Sequence, residues 1–127
     1  MSLVTKTKPI IAIVDDDDAV REATGSLVRS LGYSASMFAS ADEFLKSDEI
    51  SNTSCLITDV RMPGLSGLDL QDRLIAQGHR IPIIFLTGYP DENVRARAMK
   101  AGAIAFLSKP FNADHLIGYL DKALKAA

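Results

Sequence analysis

Tryptophan is absent from the 127 residues, cysteine occurs once, and neither sign of charge dominates. The lone Cys55 excludes an internal disulfide and fits a reducing, cytoplasmic setting. Lys and Arg number 14 against 16 Asp and Glu, a net charge of −2, and no basic stripe stands out. Direct nucleic-acid binding is therefore not expected. No apolar run approaches the roughly 20 residues needed to span a bilayer, and the N-terminus lacks a signal-peptide core, so no membrane partner is expected. Repeats, low-complexity tracts and internal linkers are also missing. The length fits one domain over 1–127, with no output domain after it. With 47% hydrophobic and 24% charged residues, the chain can build a core, which excludes wholesale disorder.

What is present is an alternation of short apolar runs with segments of helical period. The runs are Ile10–Val14, Cys55–Ile57, Ile83–Leu86 and Ile104–Leu107, continuous as in strands covered on both faces. Tyr33–Phe38 is weaker and reads as an edge strand. Between them, Ala19–Leu31 places Val20, Ala23, Leu27 and Leu31 on one helical face and stops at Gly32. Ser40 and Glu43 have the spacing of a capping box. Helices are also expected over Leu68–Gln77, over Asp91–Ala101 and from near Asn112, the last aligning Leu116, Leu120 and Leu124. Five βα units imply a doubly wound, flavodoxin-like parallel sheet, and a closed barrel would need about twice the length.

Ligands of such sheets bind beyond the carboxyl ends of the strands. After the first run come Asp15 to Asp18; after the second, Thr58 and Asp59; after the third, Thr87; after the fourth, Ser108, Lys109 and Pro110. Carboxylates, a hydroxyl and one ammonium thus converge from four distant places. Clustered carboxylates repel and are costly to bury unpaired, so a divalent cation is expected among them, and all-oxygen donors favour Mg²⁺ over zinc. A carboxylate beside that cation can attack phosphorus and form an acyl phosphate. Asp59 stands alone after a central run and is the expected phosphoacceptor. The neighbouring pair Asp15 and Asp16 is the expected metal site, and a backbone carbonyl of the following turn, Arg61 to Gly64, could add a ligand. Asp17 and Asp18 are expected to cap the first helix instead.

The segments IVDDDD at 13–18, TDVRMPGLSG at 58–67, FLTG at 85–88 and KAGAIAFLSKPF at 100–111 resemble the receiver domain of bacterial two-component response regulators, nearest the FixJ-like branch. The resemblance runs from about Pro9 to Ala123. It implies strand order 2-1-3-4-5 and transfer of a phosphoryl group from a histidine kinase or phosphotransfer protein onto Asp59. Mg²⁺ would be held by Asp16, Asp59 and the Arg61 carbonyl, with Asp15 acting through water. Lys109 would pair with Asp59 and then with the phosphoryl group, across a cis Lys109–Pro110 bond. Thr87 and Phe106 would be switch residues. Their shift would change the face made by the fourth helix, fifth strand and fifth helix, where a homodimer could form.

This sequence departs from familiar members at Tyr89-Pro90, which should stiffen the loop after Thr87, and at Phe106, which lacks a tyrosine hydroxyl. Other readings fit less well. A flavodoxin would need a Ser/Thr/Gly-rich phosphate loop where four aspartates stand. An aspartyl phosphatase would need an acid at Arg61. The remaining alternative is an unphosphorylated pseudo-receiver acting as an interaction module, and the full set Asp15, Asp16, Asp59, Thr87 and Lys109 argues against it. His79 and His115 are isolated, and Arg95, Arg97 and Lys100 read as the wet face of the fourth helix.

Overall fold

Each apolar run becomes a parallel strand because it must be covered on both faces, and the amphipathic segments between them supply the covers. In the computed structural model, which describes residues 8–125, the order is β1 (Ile10–Val14), α1 (Asp18–Ser30), β2 (Ser34–Phe38), α2 (Ala41–Lys46), a 3₁₀ turn (Ile50–Asn52), β3 (Thr53–Asp59), α3 (Gly67–Ala76), β4 (Ile83–Thr87), α4 (Glu92–Lys100), β5 (Ala105–Ser108) and α5 (Ala113–Lys125). The outer ends of the expected 1–127 domain lie outside the described residues. The sheet is parallel throughout, in the order β2-β1-β3-β4-β5.

Alternation along each strand divides the core in two. Ile11, Ile13, Cys55, Ile57, Ile84 and Leu86 face α1 and α5, where Val28, Leu116, Leu120 and Ala123 cover them. Ala12, Val14, Leu56, Ile83 and Phe85 face the other side, with Phe44, Leu70 and Leu74. Cys55 is a buried packing residue, and burial pushes its thiol up to about 12. Gly32, Gly78 and Gly102 end α1, α3 and α4 at positive φ, the conformation that glycine reaches without a Cβ clash.

Three local expectations change. The buried face of α1 is Thr24, Gly25 and Val28, whereas Val20, Leu27 and Leu31 are half-buried and Ala23 is exposed. The reason is close packing on the edge strand: a β-carbon on Gly25 would stand 2.7 Å from the Met37 sulfur. The capping box expected at Ser40 is half-formed. Ser40 accepts from the Glu43 amide at 3.1 Å, while the reciprocal box belongs to Ser66 and Asp69 at the start of α3. In α5 the third buried position is Ala123, not Leu124, because a straight helix drifts past a strict four-residue repeat.

That drift is testable. Leu120→Ala is expected to cost about 3 kcal/mol in urea unfolding, because it empties a fully buried site, and Leu124→Ala less than about 1 kcal/mol.

Candidate phosphoacceptor site

Register brings the strand ends level. Val14 lies beside Thr58, Asp59 beside Leu86, and Thr87 beside Ser108. The residues at or just beyond these ends, Asp15, Asp59, Thr87 and Lys109, therefore crowd one rim of the sheet. Asp15, Asp59 and Thr87 are buried, and Asp16 is exposed at the mouth. Asp17 leaves the cluster to cap α1, accepting from Ala19 and Val20, and Asp18 pairs with Arg21. Asp17 thus caps the helix as expected, whereas Asp18, expected to cap as well, sits in its first turn and turns to Arg21.

At the centre Lys109 Nζ stands 3.0 Å from Asp15 Oδ2 and 3.1 Å from Asp59 Oδ2. The second oxygens are held by the backbone: Asp15 Oδ1 accepts from Asp17 N at 2.9 Å, and Asp59 Oδ1 from Val60 N at 2.7 Å. One cation is thus shared by two buried anions, and the two sides of the bargain differ. Burial raises the Asp59 carboxyl above the ordinary aspartate range, and Asp15 adds to the rise; the Lys109 hydrogen bond only partly opposes them. For Lys109, burial works against the charge, but hydrogen bonds to both carboxylates outweigh it and the pKa rises. Lys109 stays cationic while the site remains short of positive charge.

Asp15, Asp16 and Asp59 each offer a carboxylate oxygen, all within 4.8 Å of one another. Hard oxygen donors, a net negative cluster and one member open to water suit Mg²⁺, which keeps several of its waters when bound. The donor set fits the expected ion. Arg61, two residues past Asp59, is exposed, and its guanidinium lies 5.1 Å from the centre of the Tyr89 ring.

Thr87 is at the rim, and its hydroxyl accepts from the Tyr89 amide at 3.0 Å; its carbonyl accepts from Lys109 N at 2.8 Å. The strand end that carries the hydroxyl and the residue that carries the ammonium are thereby tied together. Phe106 is half-buried on β5, its ring 6.0 Å from that of Phe85. The Lys109–Pro110 bond is cis, as expected.

Sequence reading passed over Gly67. A β-carbon there would stand 2.2 Å from the Asp59 carbonyl oxygen, and Gly67 N donates to Val60 O at 2.8 Å. Only glycine lets the start of α3 fold back onto the end of β3. A glycine just after the Ser66 cap was the available signal, but what it touches lies eight residues back.

Comparison with known proteins agrees with this geometry. The profile of the response regulator receiver domain matches residues 11–121. Response regulator protein TodT of Pseudomonas putida is 50% identical over 118 residues, covering 93% of this chain and 52% of that protein. Transcriptional regulatory protein FixJ of Bradyrhizobium diazoefficiens is 39% identical over 121 residues, covering 95% and 59%. The crystal structure of FixJ-N superposes with a TM-score of 0.83 at 33% identity, covering 95% of this chain and 97% of that one. The chain spans about half the length of the curated relatives it matches.

A buried carboxylate short of positive charge weakens the fold. Because the folded-state pKa of Asp59 is raised, protonation favours the native state, and that contribution is lost as pH rises from about 4 through the raised value. Asp59→Asn is expected to stabilise the protein by about 1 kcal/mol at pH 7, with no gain below pH of about 3.5, measured by denaturant unfolding across pH.

Proposed function

This chain belongs to the response regulator receiver domain family, a family of signalling domains rather than of enzymes, and on that premise we propose that Asp59 is its phosphoacceptor. The observation that carries the reading is the place of Asp59 on the rim. The acids that follow β1 lie to one side of it and Thr87 of β4 to the other, with the Lys109 ammonium at 3.1 Å. Lys109 also reaches Asp15, but Asp15 follows β1, one strand further from Thr87.

A carboxylate oxygen of Asp59 attacks the phosphorus of a phosphohistidine on a kinase or phosphotransfer protein. The new O–P bond replaces the P–N bond, and the imidazole nitrogen leaves with its electron pair and takes a proton. Asp15, Asp16 and Asp59, with the Arg61 carbonyl, would hold Mg²⁺, which when bound neutralises charge on the transferring group. Asp16 does so from the exposed mouth, leaving Asp15 and Asp59 to be ordered by Lys109. Lys109 keeps its charge throughout, and after transfer pairs with a phosphoryl oxygen. The product carries about −1.5 to −2 charges. That charge offers an acceptor for the proton of the Thr87 hydroxyl, whose oxygen now accepts from the Tyr89 amide. Withdrawal of Thr87 frees the loop before α4, and Phe106 beside Phe85 follows, altering the α4–β5–α5 face where a second copy could dock. Among the described residues no helix is long and apolar enough to cross a membrane, and a cytoplasmic site of action accords with the kinase partner.

Incubation with Mg²⁺ and acetyl phosphate should add the mass of one phosphoryl group to the intact protein. Asp59→Asn should add none, and full labelling of that variant would refute the assignment. Asp16→Ala, which removes the exposed ligand without touching the Lys109 pairs, is expected to weaken Mg²⁺ binding about tenfold or more by calorimetry, with little change in unfolding midpoint. Unaltered affinity would remove Asp16 from the metal site.

A further inference from the structure

The fourth helix buries fewer residues than any other α-helix of the described residues, with Val94 and Met99 half-buried against the core. Glu92, Asn93, Arg95, Ala96 and Arg97 are exposed, Val94 and Met99 are half-buried, and Ala98 alone is buried. Its N-terminal cap and first-turn ion pair, Asp91 to Asn93 and Val94 and Glu92 to Arg95, are local and bind the helix to nothing else. Its other end is different. Gln71 of α3 is 2% exposed, set between Leu70 and Leu74, and its Nε2 donates to the Ala98 carbonyl at 3.1 Å. That carbonyl also accepts from Ala103 N at 3.1 Å, so it closes the last turn of α4 and receives α3 at once. One residue along α3, Asp72 meets Arg97 at 2.6 Å. Arg97 is exposed, as read from sequence, and adds a surface ion pair from α4 to α3.

A glutamine on an otherwise apolar helix face is costly to bury unless its amide is satisfied, and a hydrogen bond, unlike an apolar contact, fixes position and direction. We propose that Gln71, assisted by Asp72, is a positioning residue that pins the C-terminal end of α4 and makes it a pivot. The N-terminal end, which follows the loop from Thr87, is then the part that swings. On this account the direction of movement of the face is decided by α3, on the side of α4 away from β5, and Ile75 and His79 line an open cavity of about 470 Å³ beside the pin. The basal part of the idea stands without the Asp59 reading; only its response to activation rests on it.

Amide hydrogen exchange resolves both parts. In the unmodified wild type, amides of residues 98–103 should be protected at least about fivefold more than those of 94–96, the worth of one satisfied hydrogen bond. Gln71→Met keeps the length and removes the donor. It should erase that difference while leaving β1, β3 and α5 protection unchanged, which a general loss of stability would not do. With Mg²⁺ and beryllofluoride, wild-type changes should be confined to residues 89–96, and in Gln71→Met they should spread through 97–103. Should Gln71→Met fail to fold, Asp72→Lys sets an ammonium against Arg97 on the surface and should lower protection at 97–103 about twofold. Uniform protection along wild-type α4, an unchanged profile in the variant, or wild-type activation changes at 97–103 equal to those at 89–96 would each overturn the pivot. A polarised basal profile that the variant erases, with no response to beryllofluoride, supports the pivot and counts against Asp59 alone.

Discussion

One ammonium between two buried carboxylates organises this protein. Lys109 comes from beyond β5, Asp15 from beyond β1 and Asp59 from the end of β3, so their meeting demands that strands distant in sequence end at one level. The sheet order supplies this, because β1, β3, β4 and β5 are consecutive neighbours. The charge count remains unbalanced after the meeting. A fold that wanted only stability would replace one carboxylate by an apolar residue; this one keeps three carboxylates whose oxygens lie within 4.8 Å of one another.

The same imbalance links chemistry to shape. Lys109 is bound through its backbone to Thr87, and Thr87 through its hydroxyl to Tyr89, whose ring faces Arg61 from the β3 side of the site. The rim is therefore a closed chain of contacts rather than a row of independent side chains. On the proposed function, a phosphoryl group on Asp59 would meet the Thr87 hydroxyl and Lys109 together. α4 buries only Ala98, whereas α2 buries Ala41 and Phe44 and α5 buries Leu116, Leu120 and Ala123. Phe106 lies beside Phe85, its ring 6.0 Å away, and joins β5 to β4 by packing.

Packing tolerance set the limits of the site's precision. Gly67 lets a loop and a helix start press directly on the Asp59 backbone, and Gly25 lets α1 lie against Met37. Neither glycine serves the chemistry by a functional group. Each removes an atom so that a neighbour can be placed, and placement is what phosphoryl transfer requires most.

Much of this was legible in the amino-acid order itself. Continuous apolar runs of Ile, Val and Leu must be buried on two faces, and helical segments between them force parallel pairing; the five βα units and the rim residues Asp15, Asp16, Asp59, Thr87 and Lys109 follow from local pattern. Local pattern did not carry the contacts between elements. Which face of α1 turns inward depended on Met37, the true third core position of α5 on helix drift, and the completed capping box on the turn after β3. That Lys109 serves both carboxylates, that Arg97 reaches Asp72 and that Gln71 holds α4 were decided only when the helices packed, because each is a distance between residues whose separation along the chain says nothing about it.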